Sequence, residues 1–358
     1  MSSGQIPIRI HLPKRSSPMS SPDTVYISSK GDAREALPSA LRRSLWPFVA
    51  VVAWAIVSAI SFFLPNVVVG FAEPLYVRET NGVFIGWTIL LAVGAALVAV
   101  HPVFGKRLVY WSPWLTALAI FFGVWELLTA KFAVLPVPFF QPPSSLLEVY
   151  LDDWPRLLDS LYNSFKLLAS GFVLGAIAGF LTGVSIGWVQ AIGYWVHPVL
   201  RFLGPIPSTA LLPMAFYFFP SGFSAAVFLI ALATWFPLTV LTWSGVASVD
   251  KAYYDVARTL GASQLFLILR VAIPAALPHV FVGLFMGLGA SFSVLVAAEM
   301  MGVKSGLGWY LQWAQGWAAY NNLYGALIIM AIVFSGLITL LFTVRDRVLT
   351  WQKGDVKW

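Results

Sequence analysis

The stretch 223-FSAAVFLIALATWFPLTVLTWSGV-246 runs without a single charged side chain. About 20 predominantly apolar residues carry a helix across a bilayer, and this run is apolar on every face. A membrane-crossing β-strand would instead alternate apolar and polar residues over about ten positions. Similar runs lie at 45–65, 83–101, 113–132, 164–188, 200–219, 272–298 and 322–343. The pattern predicts an all-α, polytopic transmembrane helical bundle of about eight spans. Composition agrees: of 358 residues, 59% are hydrophobic and 10% charged, against roughly 25% charged in soluble domains. A water-soluble enzyme is excluded. With no cysteine, disulfide frameworks, thiolate nucleophiles and Cys-based metal sites are excluded as well.

Net charge is +7, and its placement carries the information. Lys and Arg collect in cytoplasmic loops. With the N-terminus inside, 17 of them fall on that side, including Lys106, Arg107, Arg201, Lys251, Arg258, Arg270, Arg345 and Arg347. Only Arg78, Lys131, Arg156, Lys166 and Lys304 fall on the other. Both termini are therefore expected in the cytoplasm of a cell whose cytoplasmic (inner) membrane holds the chain. Residues 1–43, rich in Ser and Pro, read as a disordered basic tail rather than a cleaved signal peptide. Residues 44–102 hold two transmembrane helices joined by a short basic loop to a continuous block at 113–351, and 352–358 form a second tail. Between the third and fourth spans, Leu146, Leu147, Tyr150 and Leu151 have helical spacing, predicting a short helix flat on the outer surface.

The inside loop from Ser248 to Pro274 is the most informative segment. Val249, Ala252, Tyr253, Val256, Ala257 and Leu260 make one apolar stripe of a helix. Asp250, Lys251, Tyr254, Asp255, Arg258 and Thr259 make the polar face. Asp250 or Ser248 can cap its start, Gly261 can end it in the left-handed conformation, and Ser263 can cap a second short helix. Two placements are open on periodicity alone: a connector lying on the membrane, or a helix entering a groove of a soluble partner.

The spacing of this loop, 254-YDVARTLG-261, then nine residues, then 271-VAIP-274, resembles the signature loop of ABC-importer permeases, Glu-Ala-Ala-x-x-x-Gly-x9-Ile-x-Leu-Pro. Asp255, Val256, Val271 and Ile273 are conservative departures. Pro142-Pro143-Ser144, Gly204-Pro205-Ile206-Pro207 with Ala210 and Pro213, Phe236-Pro237, Ala298-Glu299-Met300 and Gly306-Leu307-Gly308 follow in the family's order. Phe218-Phe219-Pro220 and Leu167 depart from it. The chain is similar to the type I, binding-protein-dependent branch that imports taurine, aliphatic sulfonates, nitrate and related anions, over roughly residues 113–351. The resemblance implies a six-span core, with the helix at 249–262 as a coupling helix gripped by a separate ATPase. Asp250, Lys251, Tyr254, Asp255, Ala257, Arg258, Thr259 and Gly261 would make that contact. It further implies two ABC ATPase subunits carrying ATP and magnesium, a second permease copy, and an external solute-binding protein. No cofactor is expected in this chain and no nucleic-acid partner.

The chain carries no P-loop: Val100 stands where one needs Gly ahead of Gly105-Lys106. Glu126, Lys166 and Glu299 are the candidate path-lining ionisable groups, with hydrogen bonding to neighbouring helices the alternative for both glutamates. Gly171, Gly175, Gly179, Gly183 and Gly187 recur every fourth residue, as Gly283 and Gly287 do later. Small residues at that spacing mark close helix–helix packing, within the chain or at a dimer seam. His11, His101, His197 and His279 show no ligand spacing. The competing class is an ion-coupled secondary transporter, which calls for charged groups at mid-membrane and inverted repeats. A membrane-embedded enzyme finds no nucleophile–base constellation.

Overall fold

Helix breakers and apolar runs divide the chain as follows in a computed structural model that describes residues 32–67, 75–98, 102–135 and 137–352. Three N-terminal helices come first: α1 (Asp32–Phe63), α2 (Val77–Leu97) and α3 (Pro102–Glu126), the last extended by a π-helical turn, Leu127–Lys131. A short α4 (Pro143–Asp152) leads into the long α5 (Trp154–Trp188). Then come α6 (Gln190–Leu203), α7 (Leu212–Phe218) and α8 (Gly222–Ala247). The loop helices α9 (Lys251–Thr259) and α10 (Gln264–Phe266) precede α11 (Ile273–Met301), α12 (Leu307–Gly316) and α13 (Tyr320–Val348). Among the described residues there is no strand. The expectation of disorder at 1–43 falls, for residues 1–31, outside the described residues, and α1 already begins at Asp32.

The glycine row on α5 fixes the arrangement. A Cβ at Gly171 would lie 2.5 Å from Ile230 Cγ2, at Gly175 2.7 Å from Thr234 Cβ, at Gly183 2.5 Å from Thr242 Cβ and at Gly187 2.7 Å from Val246 Cβ. Every one of these partners is on α8, so the row is a seam inside the chain and not a seam between copies. Partner numbers rise together, so α5 and α8 run parallel. On an adjoining face of α8, where Thr234 and Leu238 serve both seams, Gly287 faces Thr234 and Gly283 faces Leu238, an antiparallel seam with α11. Hydroxyls fasten the three helices: Thr234 Oγ1 and Ser291 Oγ are 2.5 Å apart, and Thr239 Oγ1 donates to Gly179 O at 3.3 Å. Leu167, Leu168, Leu229, Ile230, Leu288 and Leu295 fill the core between them.

Among the described residues, seven helices are long and apolar enough to cross a membrane alone. The expected fifth span at 200–219 is not one straight helix: α6 and the 3-10 turn Ser208–Leu211 with α7 meet at 84°. The cause is local. Pro205 and Pro207 lack an amide hydrogen and restrict their neighbours, and Gly204 packs under the Phe236 ring, where a Cβ would lie 2.7 Å from Cζ. Because α5 and α8 are parallel, this bent pair must return the chain across the full depth of the bundle. It thus completes an eighth crossing. Helix α5 also starts ten residues before the expected 164, because Pro155 occupies its first turn, where proline is tolerated.

Helix α4 is present but is not simply laid on a surface. Leu146 and Val149 are buried, Val149 packs with Ala326 and Met330 of α13, and Tyr150 donates to Gly325 O at 3.1 Å. All these packings give the bundle two ends. One holds α4, α12 and the start of α5; the other holds α9, α10 and the end of α8.

Gly175→Val places a branched side chain against Thr234, and overpacking of this kind costs about 1–3 kcal/mol. Thermal unfolding in detergent should show a lowered midpoint. Gly289→Ala, where an added Cβ meets nothing within 4 Å, should leave it unchanged.

Candidate coupling surface and buried polar clusters

Asp250 caps α9, its Oδ1 accepting from Ala252 N at 2.9 Å. The Ser248 hydroxyl bonds instead to Gly245 O. At the other end Gly261 has φ +80°, a backbone that favours glycine. Gly261 N then donates to Arg258 O at 2.9 Å and Ala262 N to Ala257 O at 3.1 Å, closing the last turn as a Schellman cap does. Ser263 caps α10 by accepting from Phe266 N at 3.3 Å. The chain then passes through a π-helical turn, Leu267–Ala272, into α11.

Which face of α9 meets the bundle differs from the expectation. Tyr254, assigned to the polar face, turns inward: its ring lies 5.7 Å from Trp188 and packs beside Val246, Ala272 and Ala276. Burial raises its phenol pKa above the usual tyrosine range. Ala257 shares that inward face, half-buried. The outward face is the apolar one, with Tyr253, Val256 and Leu260 at 66%, 62% and 83% exposure. Leu265, Phe266 and Leu269 extend it. Lys251, Asp255, Arg258 and Thr259 are also exposed, and Arg258 Nη1 lies 3.3 Å from Asp255 Oδ1. An exposed pair of this kind contributes at most about 1 kcal/mol; it orients the two side chains more than it stabilises the helix.

Glu299, the last acid of α11, is 1% exposed. Its Oε1 accepts from Ser164 Oγ at 2.6 Å and its Oε2 from Gly308 N at 2.7 Å. Ser164 Oγ in turn accepts from Leu307 N at 2.8 Å. The carboxylate thus sits at the start of α12, where unpaired amides and the helix dipole favour negative charge. Gly306, at φ +106°, gives it room, since a Cβ there would fall on the carboxylate.

Glu126 and Lys131 form a second cluster, 4% and 5% exposed. Their charged groups are 3.6 Å apart. Ser61 Oγ lies 3.1 Å from Glu126 Oε1 and 2.6 Å from Asn81 Oδ1 and donates its single proton to one of them at a time. Lys131 Nζ donates to Ser61 O, Leu64 O and Asn66 Oδ1 at 2.9, 2.8 and 2.6 Å. These contacts tie α3 to α1 and α2. Lys166 is separate and exposed, its Nζ 5.8 Å from the centre of the Phe223 ring.

Residues 171–351 match the family described as "Binding-protein-dependent transport system inner membrane component". A probable ABC transporter permease of Brucella abortus is 32% identical over 242 residues, 67% of this chain and 95% of that protein. The chain belongs to this family. Two further relatives are the nitrate import permease of Leptolyngbya laminosa and a putative aliphatic sulfonates transport permease of Bacillus subtilis. The first is 30% identical over 63% of this chain and 82% of its own, the second 28% over 70% and 91%. The permease is accordingly a multi-pass membrane protein and a transport component. The family match begins inside α5 and runs past α13, so α1–α4 precede it.

The two buried carboxylates, distant in sequence from Lys166, do not converge with it on one cavity. A third cluster escaped sequence reasoning. Tyr310 OH donates to Asp153 Oδ2 at 2.6 Å, and Asn322 Nδ2 donates to Tyr310 OH at 2.6 Å, joining α12, α13 and the α4–α5 corner. Burial above all, and then the bond to Asp153, raise the Tyr310 phenol well above its ordinary range. The nearest sequence signal was the pair Asp152-Asp153 before Trp154-Pro155, which marks a helix start.

Lys131→Met strands Glu126 in a buried site, and breaking such a pair costs about 3–5 kcal/mol. The melting midpoint of the purified permease should fall sharply. Adding Glu126→Gln in the same chain should recover much of the loss, because the amide still accepts from Ser61.

Proposed function

We propose that this permease forms the transmembrane path of an ATP-driven importer for a small anion and receives the motion of an ATPase through α9. One observation carries the reading: a short helix, capped at both ends and anchored inward by Tyr254, offers an apolar outward row at the more basic end of the bundle. A row of Tyr253, Val256 and Leu260 facing water is costly for a free protein and suits a groove on a soluble partner. Lys251, Asp255, Arg258 and Thr259 would set its orientation in that groove.

The positive-inside rule places the α9 end in the cytoplasm, with both termini. It places the α4 end, with α12, toward an external solute-binding protein. Two ATPase subunits, each with ATP and magnesium, would act on this chain and a second permease copy. Closure of the ATPase pair would move α9 and rock the crossings between two arrangements. Nitrate and aliphatic sulfonates, the solutes in the relatives' names, are both anions, which supports an anionic substrate. Lys166, exposed near the α4 end, is suited to draw one in. The ion-coupled alternative finds less support: Glu126 and Glu299 are already occupied by fixed partners.

Val256→Asp combined with Leu260→Asp should cut uptake by more than tenfold, equivalent to at least about 1.4 kcal/mol of coupling. The ATPase should co-purify poorly with this variant. Gly261→Val should behave similarly through loss of the cap, and Arg258→Ala more mildly. Normal uptake in all three, measured in vesicles with every subunit present, would overturn the coupling role.

A further inference from the structure

A groove of about 1410 Å³ separates the N-terminal helices from the core. Its walls come from positions 80–90 of α2, 118–128 of α3 and 324–331 of α13, and α4 closes one end. The walls are apolar apart from Thr80, Gln141, Tyr150 and Tyr324, all gathered at the α4 end. Each of those four already donates to a backbone carbonyl: of Tyr76, Pro138, Gly325 and Phe139 respectively. Beyond the Gln141 carboxamide at the α4 end and the Trp87 indole N–H, a polar solute finds little to bind down the groove.

Depth identifies the occupant. Ten residues of α2 rise about 15 Å, half of the roughly 30 Å hydrocarbon core. The groove begins near the α4 end of the span Val77–Leu97 and stops near the middle of the span Gly105–Lys131. A partner's transmembrane helix would need a channel of twice that length. The acyl chains of one leaflet end at mid-membrane, as the groove does. We propose that the groove is a lipid site, holding the acyl chains of a phospholipid from the leaflet at the α4 end. The lipid acts as a wedge where α2 and α3 meet the core chiefly through α4. The proposal stands apart from the transport reading and does not depend on the solute.

The full-length permease is reconstituted in phosphatidylethanolamine–phosphatidylglycerol vesicles that contain a phospholipid with a diazirine midway along one acyl chain. After illumination, peptides carrying positions 83–90, 118–125 and 327–331 should be labelled several-fold more than the exposed strip of α5 at Leu174 and Leu181. Gly86→Trp fills the groove from a position where an added Cβ meets nothing within 4 Å. It should reduce labelling of the groove and leave labelling of α5 unchanged. Equal labelling of groove and α5 in the wild-type chain would overturn the proposal, whether or not the variant inserts. Groove labelling that persists in an inserted Gly86→Trp chain would overturn it too, as would a co-purifying polypeptide held there in place of lipid.

Discussion

Close approach between α5 and α8 is the constraint on which the remaining structure depends. In lipid, water gives no hydrophobic push between helices, so association rests on van der Waals contact and hydrogen bonds. Five glycines in register let α8 settle against α5 with its β-branched and small residues, Ile230, Thr234, Thr242 and Val246, seated in the gaps. Gly283 and Gly287 allow α11 the same proximity on an adjoining face. Thr234 and Leu238 thereby sit where α5, α8 and α11 meet. The parallel sense of α5 and α8 then obliges the chain to come back between them, which explains why so irregular a segment as 190–218 is carried within the bundle.

Buried polar groups do the fastening that apolar contact cannot direct. Unsatisfied groups are expensive in hydrocarbon, and both buried carboxylates have partners: Ser164 and Gly308 N for Glu299, Ser61 and the Lys131 charge for Glu126. Glu299 joins α5, the end of α11 and the start of α12 through Ser164 and Gly308 N, with Leu307 N donating to the Ser164 hydroxyl. Glu126 and Lys131 join α1, α2 and α3. Each cluster is specific about geometry, so each fixes which helix ends may sit together. The N-terminal helices, outside the matched family region, thus have a polar fastening of their own.

How much of this could be read from the sequence depends on whether a signal is local. Apolar runs and the basic bias are local, and they placed most crossings and the basic loop ahead of α11; the short basic loop expected from residue 101 to 112 is instead helical from Pro102 onward, the first turns of α3, which carry Lys106 and Arg107. The helix at 251–259, with Asp250 before it and Gly261 after it, was equally legible, since capping residues act within one turn. Its outward face was not, because Tyr254 is both apolar and polar and only the presence of Trp188 decides which way it turns. The glycine interval announced a seam, yet its partner residues lie 59 positions further along the chain and leave no mark on the row itself. Lys131 read as a loop charge, because its acceptors, the carbonyls of Ser61 and Leu64 and the side chain of Asn66, lie at and just past the end of α1, some 65 residues earlier. The straight span expected at 200–219 failed at Pro205 and Pro207, whose effect on direction depends on Phe236 beneath Gly204.

The bend between α6 and α7 has a bearing on how the molecule is made. Helix α6 has 14 residues and α7 has 7, and at about 1.5 Å per residue neither reaches across roughly 30 Å of hydrocarbon. Neither piece would be retained by the bilayer as an independent insertion unit. The segment must settle after its neighbours, once α5 and α8 offer a wall to lean on. The segment 190–218 therefore leans for its seat on α8, a helix that follows it in the chain.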